Sequence, residues 1–208
     1  MGYVQLVRAH GDVEEGTRMS EERNGAYHHG DLRNALRSSA RAILEEEGLE
    51  ALSLRAVARR VGVSHAAPYR HFPNHEALLA ELATEGFIEL REELVNAASA
   101  PGVRADRIAS IGAAYMGFVA RRPALARLMF GPQVSKRNAF EELKAAADGV
   151  GEAIGAAVGD AAQGLAVWGA VHGLAMLVLE DVVDLGQRRT GFEILPSRAE
   201  ILLRSLVA

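Results

Sequence analysis

The chain has 208 residues, 49% of them apolar, and carries a formal net charge of −4. That apolar share supplies a proper core for one or two domains. The absence of cysteine excludes disulfides and thiolate metal sites and suits a reducing cytoplasm, which is the expected location.

Residues 1–26 are polar, with Gly11, Gly16 and Gly25 among mixed charges, and they read as a flexible tail with no export signal. Beyond them the pattern is helical throughout, with strand signals nearly absent, so an all-α fold is expected. A first helix is predicted from about Asp31 to Glu47, with Leu32, Leu36, Ile43 and Leu44 inward and Arg33, Arg37 and Arg41 along one outer face. Arg41 reads as a solvated side chain, while Arg33 and Arg37, nearer the helix start, read as phosphate neighbours. His28 and His29 at the tail boundary read as solvated.

Residues 53–72 form the most informative stretch. Leu54, Val57, Ala58 and Val61 make an apolar stripe at helical spacing, and Ser53 is placed to cap its first turn. Gly62 allows the helix to end, Val63 can pack inward across the turn, and Ser64 can cap a second helix beginning at about His65. Pro68 is awkward inside that helix, because it lacks an N–H and its ring crowds the carbonyl four residues back, so a short or distorted first turn is expected. These twenty residues hold Arg55, Arg59, Arg60 and Arg70, with His65 and His71, and no Asp or Glu. Local positive charge on an acidic protein points to a polyanion partner, and two short helices around a glycine turn make a helix-turn-helix DNA reader.

The run from Gly62 through His65-Ala66-Ala67-Pro68-Tyr69-Arg70-His71-Phe72 to Leu79 resembles the DNA-binding signature of TetR-type transcriptional regulators. The resemblance extends back through Glu46-Glu47-Gly48-Leu49-Glu50-Ala51-Leu52-Ser53 and covers residues 27–86. For that family Met19 is a more usual start, which makes residues 1–18 an upstream extension or a start-site artefact. The resemblance implies an N-terminal three-helix domain over 27–86 and a larger helical ligand-binding and dimerisation domain over 87–208. It places His65, Ala66 and Ala67 against base edges, with Tyr69 on a phosphate and Arg70 and His71 following it. Ser53 and Ser64 sit at the helix starts, and Arg55 can reach a phosphate or a base. His75 stands where the family commonly has lysine, which leaves that phosphate contact weaker and pH-sensitive. Phe72 reads as a core aromatic. His71 and His75 are four apart, but Pro73 interrupts the helix that would let them share a metal, so no metal and no cofactor is expected.

Asn74 can cap a long helix from His75 to about Ala98, which Pro101-Gly102 ends. Further helices are expected at about 103–121, 124–130, 136–158 and 160–186, separated by Gly131-Pro132 and Gly159-Asp160. Ser197 and Glu200 form a capping-box pattern opening a last helix at 197–207. Ala161–Leu179 is nineteen residues without a charge, near the length of a membrane span, yet it contains Gln163, His172 and three glycines and is followed by Glu180, Asp181 and Asp184. A buried helix in a dimer core is the better reading, with Gly169 and Gly173 allowing close backbone approach. Trp168-Gly-Ala-Val-His172-Gly173 resembles the Trp…His-Gly signature of one ligand-binding subgroup of the family.

These readings converge on a ligand-responsive repressor that binds a palindromic operator as a homodimer, paired through about 160–186 and 197–207. A small apolar or aromatic effector is expected among Tyr115, Phe118, Met129, Phe130, Trp168, His172 and Met176, shifting the long helix at 75–98. Ordinary core packing is the competing reading for every one of those residues, and for any single one it is the stronger. An enzyme is the competing class, but Glu45-Glu46-Glu47 is a charge run at a helix end, and there is no glycine-rich phosphate loop or nucleophile elbow. The remaining alternative is a DNA-binding protein that answers to no ligand.

Overall fold

The computed structural model describes residues 29–99 and 101–183. The N-terminal tail and the expected last helix at 197–207 lie outside them, as does the end of the 160–186 stretch. Among the described residues there are seven α-helices and no strand: α1 His29–Glu47, α2 Leu54–Val61, α3 His75–Ala98, α4 Arg104–Arg121, α5 Pro123–Phe130, α6 Glu141–Val158 and α7 Ala161–Leu179. Short 3-10 turns at Leu49–Ala51, Pro68–Arg70, Pro132–Val134 and Arg137–Ala139 join them.

The helix ends follow from side-chain chemistry. The hydroxyl of Ser53 accepts from the Ala56 N–H at 3.1 Å and the Asn74 carbonyl oxygen from the Ala77 N–H at 2.8 Å, each satisfying a donor the helix cannot. The Asp160 carboxylate does the same for the Gln163 N–H at 2.8 Å. Gly62 closes α2 in the left-handed region, φ 79°, where a Cβ is strained. At the start of α4 the Asp106 carboxylate accepts from the Val103 N–H at 3.2 Å, and Val103 offers no acceptor in return.

Three expected elements differ, the first being the helix expected over 160–186, which stops at Leu179 with residues 180–183 in a turn. The second half of the helix-turn-helix is not an α-helix: residues 65–67 form a turn, and Pro68–Arg70 is a single 3-10 turn. Pro68 explains this. Having no N–H, it cannot close a bond to the Ser64 carbonyl, which accepts instead from Ala67 at 3.0 Å. The residue at the cap position of that turn is Ala67, not Ser64, and no side chain caps it. The helix expected from 136 begins at Glu141, after the 3-10 turn at Arg137–Ala139.

α3 is the spine of the molecule. At its N-terminal end Leu78, Leu79 and Leu82 pack under the helix-turn-helix with Leu36, Ile43, Leu44, Val57 and Phe72, and further on Phe87, Leu90 and Leu94 join the core of α4, α5 and α6. One outer face of α3 carries Glu81, Glu85, Glu89 and Glu93 at four-residue intervals, a repulsive arrangement on its own. It is neutralised by α1: Arg33 lies 2.8 Å from Glu81, Arg37 reaches Glu81 at 3.6 Å and pairs closely with Glu85, and Arg41 pairs with Glu89. The α4–α5 corner extends the ladder, with Arg121 2.6 Å from Glu93 and Arg122 Nε 3.0 Å from Glu89 without hydrogen-bond alignment. Arg33 and Arg37 are therefore tied to α3 and do not stand free for phosphates, and Arg41, expected to be solvated, is paired as well.

Candidate nucleic-acid interface and effector cavity

In the N-terminal domain Ser53, Arg55, Ser64, His65, Ala66, Tyr69, Arg70 and His75 are all exposed. Ala67 and His71 are half-buried beside them, and Pro68 and Phe72 are buried beneath, which fixes the turn against the core. Tyr69 is 50% exposed, although a tyrosine offered an apolar core usually takes it. Arg55, Arg59 and Arg70 make no ion pair among the described residues, whereas Arg60 is held 2.5 Å from Glu46 and 3.2 Å from Glu47. The segment thus offers guanidinium groups without an ion pair among the described residues, hydroxyls and an exposed phenol. That is the inventory needed to hold a phosphate backbone, and His65 and Ala66 in the turn are exposed as well.

Six of the seven residues expected around an effector fall into three settings, and the seventh, His172, is half-buried on α7 and lines neither of the two cavities described below. Tyr115, Phe118 and Met129 are fully buried core side chains. Phe130 and Met176 line an open cavity of about 500 Å³, whose walls also include Gly48 and Leu49 from the DNA-binding domain and Arg127 and Glu180 from the other. Trp168 lies on a different, more polar cleft of about 450 Å³ beside Lys144, Asp148 and Glu152. The structure therefore does not gather the seven around a single void.

Tyr115 and His172 are nevertheless joined. The Tyr115 hydroxyl lies 2.8 Å from His172 Nδ1, and Phe130 packs on the imidazole with ring centres 4.3 Å apart. Burial pushes the Tyr115 hydroxyl well above its ordinary pKa, so it stays protonated, and the direction of its hydrogen bond with the imidazole follows the tautomer of the ring. The indole N–H of Trp168 faces the same oxygen and opposes that rise, but it is too poorly placed to form a hydrogen bond and is buried without an acceptor. Trp168 and His172 thus meet through Tyr115, on a helix 57 residues away in sequence. The sequence shows Trp168 and His172 one turn apart on α7 but says nothing of Tyr115 as their polar partner. Arg127, Glu180, Gly48 and Leu49 are not expected around an effector for a similar reason, because only the tertiary fold brings the α1–α2 turn against α5 and the end of α7.

α7 is apolar around its whole circumference, yet only 28% of its most apolar 18-residue window is buried within this chain. Leu165 is 68% exposed and Leu177 42%, and a side chain added at Gly169 or Gly173 would meet nothing within 4 Å. The close small-residue contact inside the chain is elsewhere, between Gly164 and Gly155, where α7 crosses α6.

An N-terminal helix-turn-helix on an all-helical body with a second, larger domain is the architecture of a DNA-binding regulator, and comparison with known proteins agrees. Residues 36–82 match the family of bacterial regulatory proteins of the TetR type, and residues 108–193 match the tetracyclin repressor-like C-terminal domain. A protein of unknown function from Rhodococcus sp. RHA1 is 30% identical, with a TM-score of 0.72 over 88% of this chain and 98% of its own. A TetR-family regulatory protein from Rhodococcus RHA1 superposes with a TM-score of 0.63 at 22% identity, covering 85% of this chain and 96% of its own. The transcriptional regulator FadR from Bacillus subtilis, solved in complex with stearoyl-CoA, gives 0.64 at 15% identity, covering 83% and 97%. No curated protein sequence matches the chain. The chain belongs to the TetR family and is a DNA-binding transcriptional regulator. Regulators of this family are not enzymes; they bind DNA and small-molecule effectors, typically as dimers.

Proposed function

We propose that this regulator is a cytoplasmic, ligand-responsive repressor that grips a palindromic operator as a homodimer and lets go when a small molecule binds. The observation that carries the DNA-binding part is the helix-turn-helix segment, where Arg55, Tyr69 and Arg70 stand exposed with no acidic side chain among its residues. Ser53, Ser64, Arg55, Tyr69, Arg70, His71 and His75 are assigned to phosphates, and His65, Ala66 and Ala67 to base edges. The exposed apolar side of α7 supports pairing with a second copy, since a water-facing Leu165 and Leu177 on an otherwise charge-free helix is a surface that association would bury. In a symmetric pair the two turns must stand about 34–36 Å apart to enter successive major grooves. Ligand response is supported by the cavity at the domain boundary and by the ligand carried by the FadR neighbour. An effector releases DNA only to the extent that it prefers the arrangement in which that spacing is lost.

The test begins with selection of bound fragments from a random duplex library to obtain an operator. Replacing Tyr69 and Arg70 together by Ala should weaken binding of that operator at least tenfold with the dimer intact, a loss of at least ~1.4 kcal/mol. Replacing His65 should change which sequences are recovered. Unchanged gel-shift affinity for the double variant, or an unaltered selection profile for the His65 variant, removes those residues from the interface.

A further inference from the structure

The cavity lined by Phe130 and Met176 lies between the two domains. One wall is Leu49 and Gly48, the turn that leads from α1 into α2, and the opposite wall comes from α5 and the end of α7. Its volume of about 500 Å³ falls in the usual range for small-molecule sites. Among its lining residues only Arg127 and Glu180 are ionisable, and they are paired with each other across 2.8 Å.

That pair is unequal. The Arg127 guanidinium is held twice, its Nε donating to the Glu180 carboxylate and a terminal nitrogen donating to the Leu179 carbonyl at 2.8 Å. Without Glu180 it would remain in place at the carboxyl end of α7, where the helix dipole favours a cation. The Glu180 carboxylate has no second anchor among the described residues and is 54% exposed, so it can swing into water. An exposed ion pair of this kind contributes little to stability, and replacing its mobile member by another anion is correspondingly cheap. Guanidinium groups bind carboxylates in a planar two-point geometry, which favours that anion over other charged groups.

We propose that this interdomain cavity binds a small amphipathic carboxylate, its anion taking the place of Glu180 on Arg127 and its apolar body lying along Phe130 and Met176 toward Leu49. The inference rests on the ligand-responsive reading above and names its ligand class. It also shortens the path of the response. A molecule wedged against Leu49 pushes on the segment that positions α2 directly, with no need to pass through the interior of the larger domain.

The experiment titrates the purified full-length protein with octanoate and 1-naphthoate, each against the matching alcohol, by calorimetry, and measures operator affinity with and without each acid. At least one acid should bind ten or more times more tightly than its alcohol and should weaken operator binding. Glu180→Gln, which removes the competing anion, should tighten the acid several-fold, and Arg127→Gln should erase the difference between acid and alcohol. Equal binding of acid and alcohol, binding of neither acid, or an Arg127→Gln variant that still prefers the acid would overturn the proposal. Operator affinity without ligand separates the two readings. If DNA is bound and the acids are inert, the cavity assignment falls and the regulator stands; if the unliganded protein binds no duplex, the regulator falls.

Discussion

Glu85 is half-buried in the middle of the row of carboxylates on α3, and its surroundings pull in opposite directions. Burial raises its pKa and is the largest influence; Arg37 and Arg41 lower it, and Glu81 and Glu89 raise it again, leaving it above the ordinary value of 4.5. The folded state therefore holds this proton more tightly than the unfolded chain does. Its contribution to stability is complete below the ordinary value and is lost as pH rises through the folded one. Glu85→Gln should flatten the melting temperature over the pH range just above 4.5, and a steeper profile would show that Arg37 and Arg41 outweigh burial. The three arginines of α1 show why single residues were hard to interpret. Arg33, Arg37 and Arg41 stand out as a stripe, but whether a stripe faces water, DNA or carboxylates depends on α3, more than forty positions away. Tyr115 illustrates the same limit, since its hydrogen bond to His172 has no trace in local spacing.

Whole helices were far more legible, because apolar periodicity and caps act over a few residues. Ser53, Gly62 and Asn74 behave as their chemistry dictates, and α3 spans the expected 75–98. The exceptions have local causes. Pro68 reduces the recognition segment to a 3-10 turn, and the stretch before Glu141 coils tightly before α6 begins. The crossing of α6 and α7 could not be foreseen. There a Cβ on Gly164 would sit 2.7 Å from the Cα of Gly155, which is backbone and cannot step aside. Gly164→Ala should therefore force the two helices apart and lower stability by about 1–3 kcal/mol in denaturant unfolding, the usual cost of overpacking. A stability equal to the parent's would mean that the crossing is loose.

At the scale of the molecule, the two-domain helical architecture was accessible from sequence because the helix-turn-helix pattern is so specific. The cavity proposed for the effector was not, because its walls come from Gly48, Arg127, Met176 and Glu180, which share no pattern along the chain. The proposed pairing through α7 makes its own demand. Leu165→Arg places a charge on the exposed apolar side of that helix, where it touches little within its own chain. It should leave the fold intact by circular dichroism, yield a monomer in sedimentation equilibrium and reduce operator affinity. A variant that remains dimeric would place the contact elsewhere.

The ladder between α1 and α3 also sets how the protein meets a polyelectrolyte. Residues 27–86 contain seven arginines and no lysine. Four of them, Arg33, Arg37, Arg41 and Arg60, are already neutralised by glutamates of the same chain. Among the described residues of that stretch, Arg55, Arg59 and Arg70 carry no ion pair and remain to displace cations condensed on a duplex, six for a two-fold pair. The logarithm of affinity should then fall against the logarithm of salt with a slope near −5, not the roughly −13 that fourteen free guanidinium groups would give. Such a regulator loses comparatively little of its grip as ionic strength rises, and it draws more of its selectivity from shape and base edges than from charge.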